Sequence, residues 1–308
     1  MDKVTKELQQ GLADAGYKSA VVSIEHLSDQ RDDLSHLLED GFLKEDFYGE
    51  IVKRYDLDFH FSLPADFPTA QSIIMTAAPQ PKVIVTFNMS GTIYRVLIPP
   101  TYIHDSDSIV RDIISQYLQP AGYRIQDAIL PEKPLAVHCG LATYGKNNIT
   151  YMDGFGSYFR LRVFFSDLPC KFDNWRELKM MDQCEKCSAC LQRCPTNAIT
   201  RDGFLIEAGR CLTYFNEGDG QFPEWIDPSW HNCMIGCMIC QDVCPVNRDH
   251  TRWIIEGEEF SEEETQLILE GKQAQDLPSG TIEKLRRLYM LDDYRLLQRN
   301  LGILLKTL

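Results

Sequence analysis

The chain has 308 residues, of which 44% are hydrophobic and 25% are charged, a balance typical of a folded globular protein and not of a disordered one. Its formal net charge of −14 makes a nucleic-acid partner unlikely, because surfaces that bind nucleic acids usually carry a basic excess. No apolar run approaches the roughly 20 residues of a membrane helix, and the polar first residues lack the apolar core of a signal peptide. We therefore expect a cytoplasmic protein without a membrane partner.

The first 180 residues predict an α/β domain. Helical and alternating hydrophobic spacings predict, in chain order, a helix that ends near Gly16, a strand over 19–24, two helices within 29–55 that break at Gly41, three strands between 73 and 98, and a helix over 106–117. Asn88 to Gly91 predict the turn of a hairpin between the last two strands. No phosphate-binding glycine motif follows these strands, so the local pattern does not indicate a nucleotide.

The stretch that reads LAVHCGLATYGKNNITY contains two glycines, Gly140 and Gly145, five residues apart. They indicate a loop whose backbone approaches a bound partner closely, and Lys146 is suited to a phosphate or carboxylate on that partner. A structural loop with a solvated lysine explains the same residues. The adjacent His138 and Cys139 are more typical of packing than of a metal site.

The cysteines carry the strongest signal. Eleven cysteines in a chain that is not exported argue against disulfides, because cytosolic thiols stay reduced. Residues 184–195 read C-x2-C-x2-C-x3-C-P, and residues 237–245 repeat the end of that pattern. The first pattern is the bacterial signature for a 4Fe–4S cluster, and its fourth cysteine ligates a neighbouring cluster. A zinc site needs no such interleaving, so the pattern predicts two 4Fe–4S clusters in a ferredoxin-like domain.

Ferredoxin connectivity assigns ligands to each cluster. The first cluster takes Cys184, Cys187, Cys190 and Cys244. The second takes Cys194, Cys237 and Cys240, which leaves one position open. Cys233 is near in sequence but lengthens the usual two-residue gap, whereas Cys211 is distant and follows a predicted helix or strand. We favour Cys211 as the fourth ligand of the second cluster.

The rest of the chain predicts a short helical cap. We expect the acidic run 256–264 to be a solvated link that leads into a helix, with Ser261 and Glu264 as its capping box. Two helices follow, joined at Asp292–Asp293. The sequence thus predicts an α+β protein with an α/β domain over 1–180, a double-cluster domain over 181–250 and a helical segment over 251–308.

Taken together, these motifs resemble epoxyqueuosine reductase between residues 126 and 247. The matching motifs are L-A-V-x-x-G-L-x-x-x-G-K-N at 135–147, G-S at 156–157, the first cysteine run with its following P-T-x-A, R-C-x-x-Y at 210–214, and G-C-x-x-C-Q-x-V-C-P-x-N at 236–247. The same module recurs in respiratory reductive dehalogenases.

The resemblance implies a nitroreductase-like α/β domain that binds cobalamin above the cluster pair. The implied cofactor-binding residues are His138, Cys139, Gly140, Tyr144, Gly145, Lys146, Asn147 and Ser157. The resemblance also supports Cys211 over Cys233.

One departure concerns the proton donor. In the family an aspartate precedes the glycine loop and acts as proton donor, but alignment on Ala136 places Gln126 there. Asp127, one residue away, or Tyr102 would have to serve as the acid.

These observations lead to three hypotheses. The first is an iron–sulfur oxidoreductase in which electrons from an external low-potential donor pass through two 4Fe–4S clusters to a bound corrinoid, as a cobalamin-dependent or cobalamin-reducing enzyme with a small-molecule substrate. The second is an epoxyqueuosine reductase that acts on tRNA, with which the acidic composition fits poorly. The third is a cofactor-free, ferredoxin-type electron-transfer protein.

Overall fold

The computed structural model describes residues 3–171, 173–201 and 203–307. The helices are α1 Lys3–Asp14, α2 Leu27–Glu39, α3 Glu45–Tyr55, α4 Asp105–Leu118, α5 Glu132–His138, α6 Ala189–Arg193, α7 Leu212–Asn216, α8 Ile239–Asp242, α9 Glu262–Leu269, α10 Ser279–Arg287 and α11 Tyr294–Thr307. The strands are β1 Lys18–Ser23, β2 Ser72–Pro79, β3 Lys82–Met89, β4 Thr92–Ile98, β5 Ile125–Asp127, β6 Thr143–Tyr144, β7 Thr150–Tyr151, β8 Phe159–Ser166 and β9 Ile254–Phe260.

Contacts within the chain divide it into two compact units. The first unit contains residues 1–79, 105–186 and 203–205, and the second contains residues 80–104, 187–202 and 206–308. Within the described ranges, no helix is both long and apolar enough to span a membrane.

The first unit is built on a four-stranded antiparallel sheet in the order β1-β2-β8-β5. The central strand β2 is buried from Ser72 to Ala78, because both faces of the sheet are covered. Ile73 and Met75 belong to the core on one face, which also includes residues of α5. Ile74 belongs to the core on the other face, with residues of α1 and α4. The alternation along β2 therefore reflects two cores and not one buried and one wet face.

The predicted breaks in the first unit are confirmed. Helix α1 ends before Gly16, whose φ is +83°, and α2 and α3 are separated at Gly41, whose φ is +72°. Both values lie in the left-handed region that glycine adopts without a steric penalty. The predicted strand over 19–24 corresponds to β1.

The second unit contains a three-stranded sheet in the order β4-β3-β9. The hairpin between β3 and β4 is confirmed, and its two turn residues have positive φ, +51° at Ser90 and +75° at Gly91. Two successive positive φ values are the mark of a type I′ turn, which matches the twist of the flanking strands.

The acidic run was expected to be a solvated link, and this was wrong for its first part. Residues 254–260 form β9, which pairs in parallel with β3. Glu256 and Glu258 point to ion-pair partners, Arg95 and Arg287, both at 2.6 Å, whereas Phe260 is fully buried. Charged side chains are common on edge strands because they oppose pairing with other chains. A parallel partner about 170 residues away leaves no local trace in the sequence.

This pairing also divides the chain differently from the predicted boundaries at residues 180 and 250. Strands β3 and β4 pack with β9 and with α9, α10 and α11 around one core, which includes Val85, Phe87, Leu285 and Leu301. The predicted helical cap is therefore part of the second unit. Its capping box is present, with the amide of Glu264 bonded to the Ser261 hydroxyl at 3.2 Å and the amide of Ser261 bonded to the Glu264 carboxylate at 2.8 Å.

Candidate iron–sulfur site and glycine loop

Each cysteine run contains a short helix that lies in the second unit, α6 in the first run and α8 in the second, and these two helices contact each other. Cys194 caps α6, and Cys244 follows α8 by two residues. A proline comes directly after each of these cysteines, and proline cannot continue a helix because it lacks an amide hydrogen. The repeated sequence thus gives a repeated structure, with a cysteine presented at the end of each short helix.

Three of the four cysteines predicted for the second cluster lie within electrostatic reach of one another. Burial, and then the neighbouring Cys194, raises the pKa of the Cys211 thiol. Burial raises the pKa of the Cys237 thiol to about 11, with smaller contributions from Cys211 and Cys194. Thiols at such a site are deprotonated by the metal that they ligate. The arrangement fits a shared iron–sulfur cluster.

Hydrogen-bond donors surround these sulfur atoms. Hydrogen bonding from the backbone of Thr213 and Tyr214 lowers the pKa of the Cys211 thiol and opposes the effect of burial, and that from Ile239 does the same for the pKa of Cys237. Such donors stabilise negative charge on ligand sulfur, which is the usual environment of an iron–sulfur cluster. The donor set and its surroundings therefore suit a 4Fe–4S cluster.

Cys233, the rival ligand, has a different environment. Its thiol is fully buried and donates a hydrogen bond to Asn232 Oδ1 at 2.9 Å. A sulfur atom that donates its hydrogen is a neutral thiol and not a thiolate ligand. This arrangement argues against Cys233 as a ligand, and Cys211 as the fourth ligand stays a prediction.

The other ligands of the two clusters remain a prediction from the cysteine spacing. Cys187, Cys190 and Cys244 lie in the second unit, and Cys184 is near the end of a segment of the first. No disulfide bond joins any of the cysteines in the described part of the chain. Over residues 3–171, 173–201 and 203–307, no three His, Cys, Asp or Glu side chains are close enough to share a single metal ion. A cubane holds its thiolates farther apart than a single ion does, because iron and sulfide lie between them.

The glycine loop of the first unit is closed on itself. Strands β6 and β7 pair, and the amide of Gly145 donates to the carbonyl of Ile149 at 2.7 Å. A Cβ atom on Gly145 would lie 2.5 Å from the ring of Tyr151, whose hydroxyl accepts a hydrogen bond from the Asn147 amide at 2.9 Å. The close approach that the sequence predicted is therefore made to Tyr151 of the same chain.

We expect Gly145→Ala to lower the free energy of unfolding by about 1–3 kcal/mol, because the added methyl overpacks a buried contact. Gly49→Ala provides the control, since Gly49 lies in α3 with nothing within 4 Å of an added Cβ. That change should raise stability by roughly 0.5–1 kcal/mol, because alanine favours helix. Chemical denaturation of both variants measures the difference, and equal effects would contradict the account of this loop.

His138 lies in a stack of three rings. Its ring packs on Trp175 with centroids 4.5 Å apart, and His26 packs on the other face of Trp175 at 3.9 Å. Nε2 of His138 is 2.6 Å from Asp33 Oδ2, and Nδ1 is 2.5 Å from the carbonyl of Arg176. Burial lowers the pKa of His138, but these two hydrogen bonds outweigh burial and the net pKa is raised. The geometry gives this histidine a structural ion pair.

The other loop residues proposed for the corrin are also held within the first unit. Cys139 donates to the carbonyl of Ala136 at 3.5 Å, and burial raises the pKa of its thiol to about 12, so it is unreactive. Tyr144 stacks on Phe204 with centroids 4.3 Å apart. The side chains of Lys146 and Ser157 are buried, so the alternative of a solvated lysine was wrong. Gly140 adopts a φ of +76° and approaches the side chain of Arg176.

The two proposed acids, Asp127 and Tyr102, belong to different units and have different hydrogen-bond partners. Asp127, in the first unit, accepts hydrogen bonds from Arg111 and, at 2.9 Å, from Arg162. Two guanidinium groups favour the ionised carboxylate, which has no proton to give. Tyr102, in the second unit, donates its hydroxyl hydrogen to Glu217. The geometry therefore favours structural roles for both side chains.

Sequence reasoning missed Glu132, at the start of α5. Burial raises the pKa of its carboxyl to about 7, against the opposing effect of Arg160 and Arg162. A carboxyl that holds its proton near neutral pH can act as an acid. The sequence signal was weak, because a glutamate in the first turn of a helix is ordinary.

Because the pKa of Glu132 is raised in the folded state, protonation stabilises the fold, and this stability is lost as the pH rises from about 4.5 through about 7. Glu132→Gln removes the ionisable group. We expect its free energy of unfolding, relative to the parent chain, to rise by roughly 1–3 kcal/mol between pH 5 and pH 8. The control is Glu39→Gln at the exposed end of α2. Parallel profiles for Glu132→Gln and the parent would contradict the prediction.

Comparison with known protein families identifies a double-cluster domain in this chain. The family model for the 4Fe-4S double cluster binding domain matches residues 183–247. Epoxyqueuosine reductase of Aliivibrio fischeri is 38% identical over 139 residues, which cover 44% of this chain and 36% of that protein. The enzyme of Escherichia coli is 34% identical over 140 residues, with the same two coverages. The chain thus matches about a third of the length of these curated relatives.

Solved structures show a similar fold over nearly the whole chain. Epoxyqueuosine reductase of Bacillus subtilis, with its catalytic aspartate loop swung out of the active site, has a TM-score of 0.68 at 20% identity and covers 99% of this chain and 82% of that one. An epoxyqueuosine reductase bound to an epoxyqueuosine-modified tRNA-Tyr stem loop has a TM-score of 0.66 at 18% identity, with coverages of 99% and 81%. These likenesses confirm a mixed α+β fold with a double-cluster domain.

Proposed function

We propose that this chain is an iron–sulfur oxidoreductase that reduces epoxyqueuosine in tRNA. The observation that carries the proposal is the combination of a double 4Fe–4S domain over 183–247 with an epoxyqueuosine reductase-like fold over 99% of the chain. The local identity of 34–38% to named epoxyqueuosine reductases points the same way. The tRNA enzyme, our second hypothesis, is thus better supported than the corrinoid reductase that we put first.

The proposed reaction needs two electrons, which the two predicted 4Fe–4S clusters can supply. Removing the epoxide oxygen to leave an alkene takes two electrons and two protons, and the oxygen leaves as water. A 4Fe–4S cluster exchanges one electron at a time, so a pair of clusters supplies two after an external low-potential donor has reduced them.

The proposed tRNA substrate reverses our expectation, based on net charge, that a nucleic-acid partner is unlikely. The net charge of −14 describes the whole chain and not a local surface. Within the second unit, Arg248 and Arg252 are exposed close to Cys244 in sequence, and Trp253 is 37% exposed beside them. Arginine contacts phosphates and an exposed aromatic ring can stack on a base. This segment supports an RNA contact in an otherwise acidic chain.

The corrinoid predicted from the resemblance gains no support from the glycine loop or from the relatives, so the proposed reaction does not include it.

The electron-transfer protein is a second candidate, and one observation favours it. Gln126, at the position of the family's aspartate, lies 3.3 Å from Asp66, and the adjacent Asp127 is ion-paired. Neither supplies the acid that the tRNA enzyme uses at this place.

Expression of the chain in a bacterial strain without its own epoxyqueuosine reductase tests the proposal. We expect queuosine to appear in the tRNA and epoxyqueuosine to fall, as measured by mass spectrometry of nucleosides. Cys237→Ser is the matched inactive control. Epoxyqueuosine that persists although the parent protein carries its clusters would reject the proposal and favour the electron-transfer protein.

A further inference from the structure

Asn232 contacts a predicted cluster ligand without being a ligand itself. Its Nδ2 lies 3.3 Å from the sulfur of Cys237 and also donates to the carbonyl of Trp230 at 2.9 Å. Its Oδ1 accepts from the backbone amide of Met238 at 2.9 Å and from the thiol of Cys233 at 2.9 Å. Every hydrogen-bonding group of the side chain is therefore in use.

The partners fix which way the amide points. The backbone amide of Met238 can only donate, and the carbonyl of Trp230 can only accept. Rotating the amide by half a turn would place two donors together at Met238 and two acceptors together at Trp230. The Nδ2 hydrogen therefore faces the sulfur of Cys237. For the same reason the Cys233 thiol must donate, because the atom that it meets is an oxygen acceptor.

A hydrogen-bond donor next to the sulfur of Cys237 stabilises the reduced cluster more than the oxidised cluster. When a cluster takes up an electron, negative charge increases on its ligand sulfurs, and an N–H···S hydrogen bond stabilises that charge. The reduction potential rises as a result. The bond to Trp230 and the bond from Met238 hold the donor in place, so little reorganisation accompanies electron uptake.

We propose that Asn232 tunes the reduction potential of the second cluster through its hydrogen bond to Cys237, and that the thiol of Cys233 helps to hold the Asn232 side chain in place. The inference rests on the double-cluster part of the proposed function and not on the tRNA substrate. It assigns Cys233, which the sequence left as a rival ligand, a positioning role. Asn232 touches a ligand and not the substrate, so it is a positioning residue too.

The test is a redox titration of the reconstituted protein, followed by electron paramagnetic resonance, with iron counted for each variant. Asn232→Asp keeps the shape of the side chain but replaces the donor with an acceptor, and Asn232→Leu removes the donor. We expect both variants to keep the parent iron content and to show a lower potential for one cluster only. A tenfold change in the equilibrium constant for reduction corresponds to about 59 mV for one electron, and we expect a shift of about that size.

Cys233→Ser is the matched control, because a hydroxyl can still donate to Asn232 Oδ1. It should keep both the iron content and the potential. Unchanged potentials in iron-loaded Asn232→Asp and Asn232→Leu would overturn the inference. Loss of iron from both variants would also overturn it, in favour of a purely structural role. Absence of clusters from the parent chain would instead reject the double-cluster part of the proposed function.

Discussion

Cys211→Ser should leave the reconstituted chain with about half of its iron, about four atoms instead of about eight, because one of two cubanes loses a ligand. Cys233→Ser should keep all of it. We expect this difference because Cys194, Cys211 and Cys237 influence one another electrostatically, whereas the thiol of Cys233 donates to Asn232. Iron and sulfide counted per chain after anaerobic reconstitution measure both variants.

The two cysteine variants control for each other, since each removes one buried or half-buried sulfur from the same unit. Loss of half the iron from Cys233→Ser, with full iron in Cys211→Ser, would reverse the assignment. Loss of all iron from Cys211→Ser would mean that the two clusters do not assemble independently.

Asn300→Leu should lower the free energy of unfolding by about 2–4 kcal/mol, because two buried carbonyls lose a donor while the number and branching of the side-chain heavy atoms stay the same. Asn300, in α11, is 1% exposed and donates to the carbonyls of Asn216 and Met234, both at 2.9 Å. Those two carbonyls flank the segment that leads to Cys237. The terminal helix therefore holds the cluster-binding segment in place as well as covering a core.

Gln298→Leu is the matched control on the same helix. Its amide donates to the carbonyl of Leu269 at 3.0 Å from an exposed position, where water can replace it. We expect a loss below about 1 kcal/mol for this variant. Chemical denaturation compares the two, and an equal loss in both would contradict the role given to Asn300.

The sequence was most informative where local spacing determines the structure. The cysteine runs predicted a double-cluster domain, which the family match over 183–247 confirms, and the positive φ values of Ser90 and Gly91 follow from the predicted hairpin turn. The capping box of α9 was equally local. In each case residues within a few positions of one another set the geometry.

The sequence failed where distant segments meet. The pairing of β9 with β3 joins Ile254 to Lys82, and no spacing within either segment encodes that contact. Gly145 is a different case, because the close approach expected of a bound partner is made by the ring of Tyr151 in the same loop. Burial of Lys146 was also hidden, since lysine is usually solvated.

Two roles were invisible for a different reason. Asn232 matters through the direction in which its amide points, and sequence carries no information on side-chain orientation. Asp127 was a plausible acid by its position in the sequence. Whether it can donate a proton depends on Arg111 and Arg162, which lie on other elements and favour its ionised form.

The most direct measurement of the central claim is conversion of an epoxyqueuosine-modified tRNA stem loop by the purified, iron-loaded protein. The protein is reduced chemically without oxygen, and the reaction is run with and without added cobalamin. We predict that queuosine forms in excess over the protein in at least one condition, and that Cys237→Ser forms none. Unchanged epoxide in both conditions, with clusters that are reduced and reoxidised normally by a small acceptor, would contradict the account.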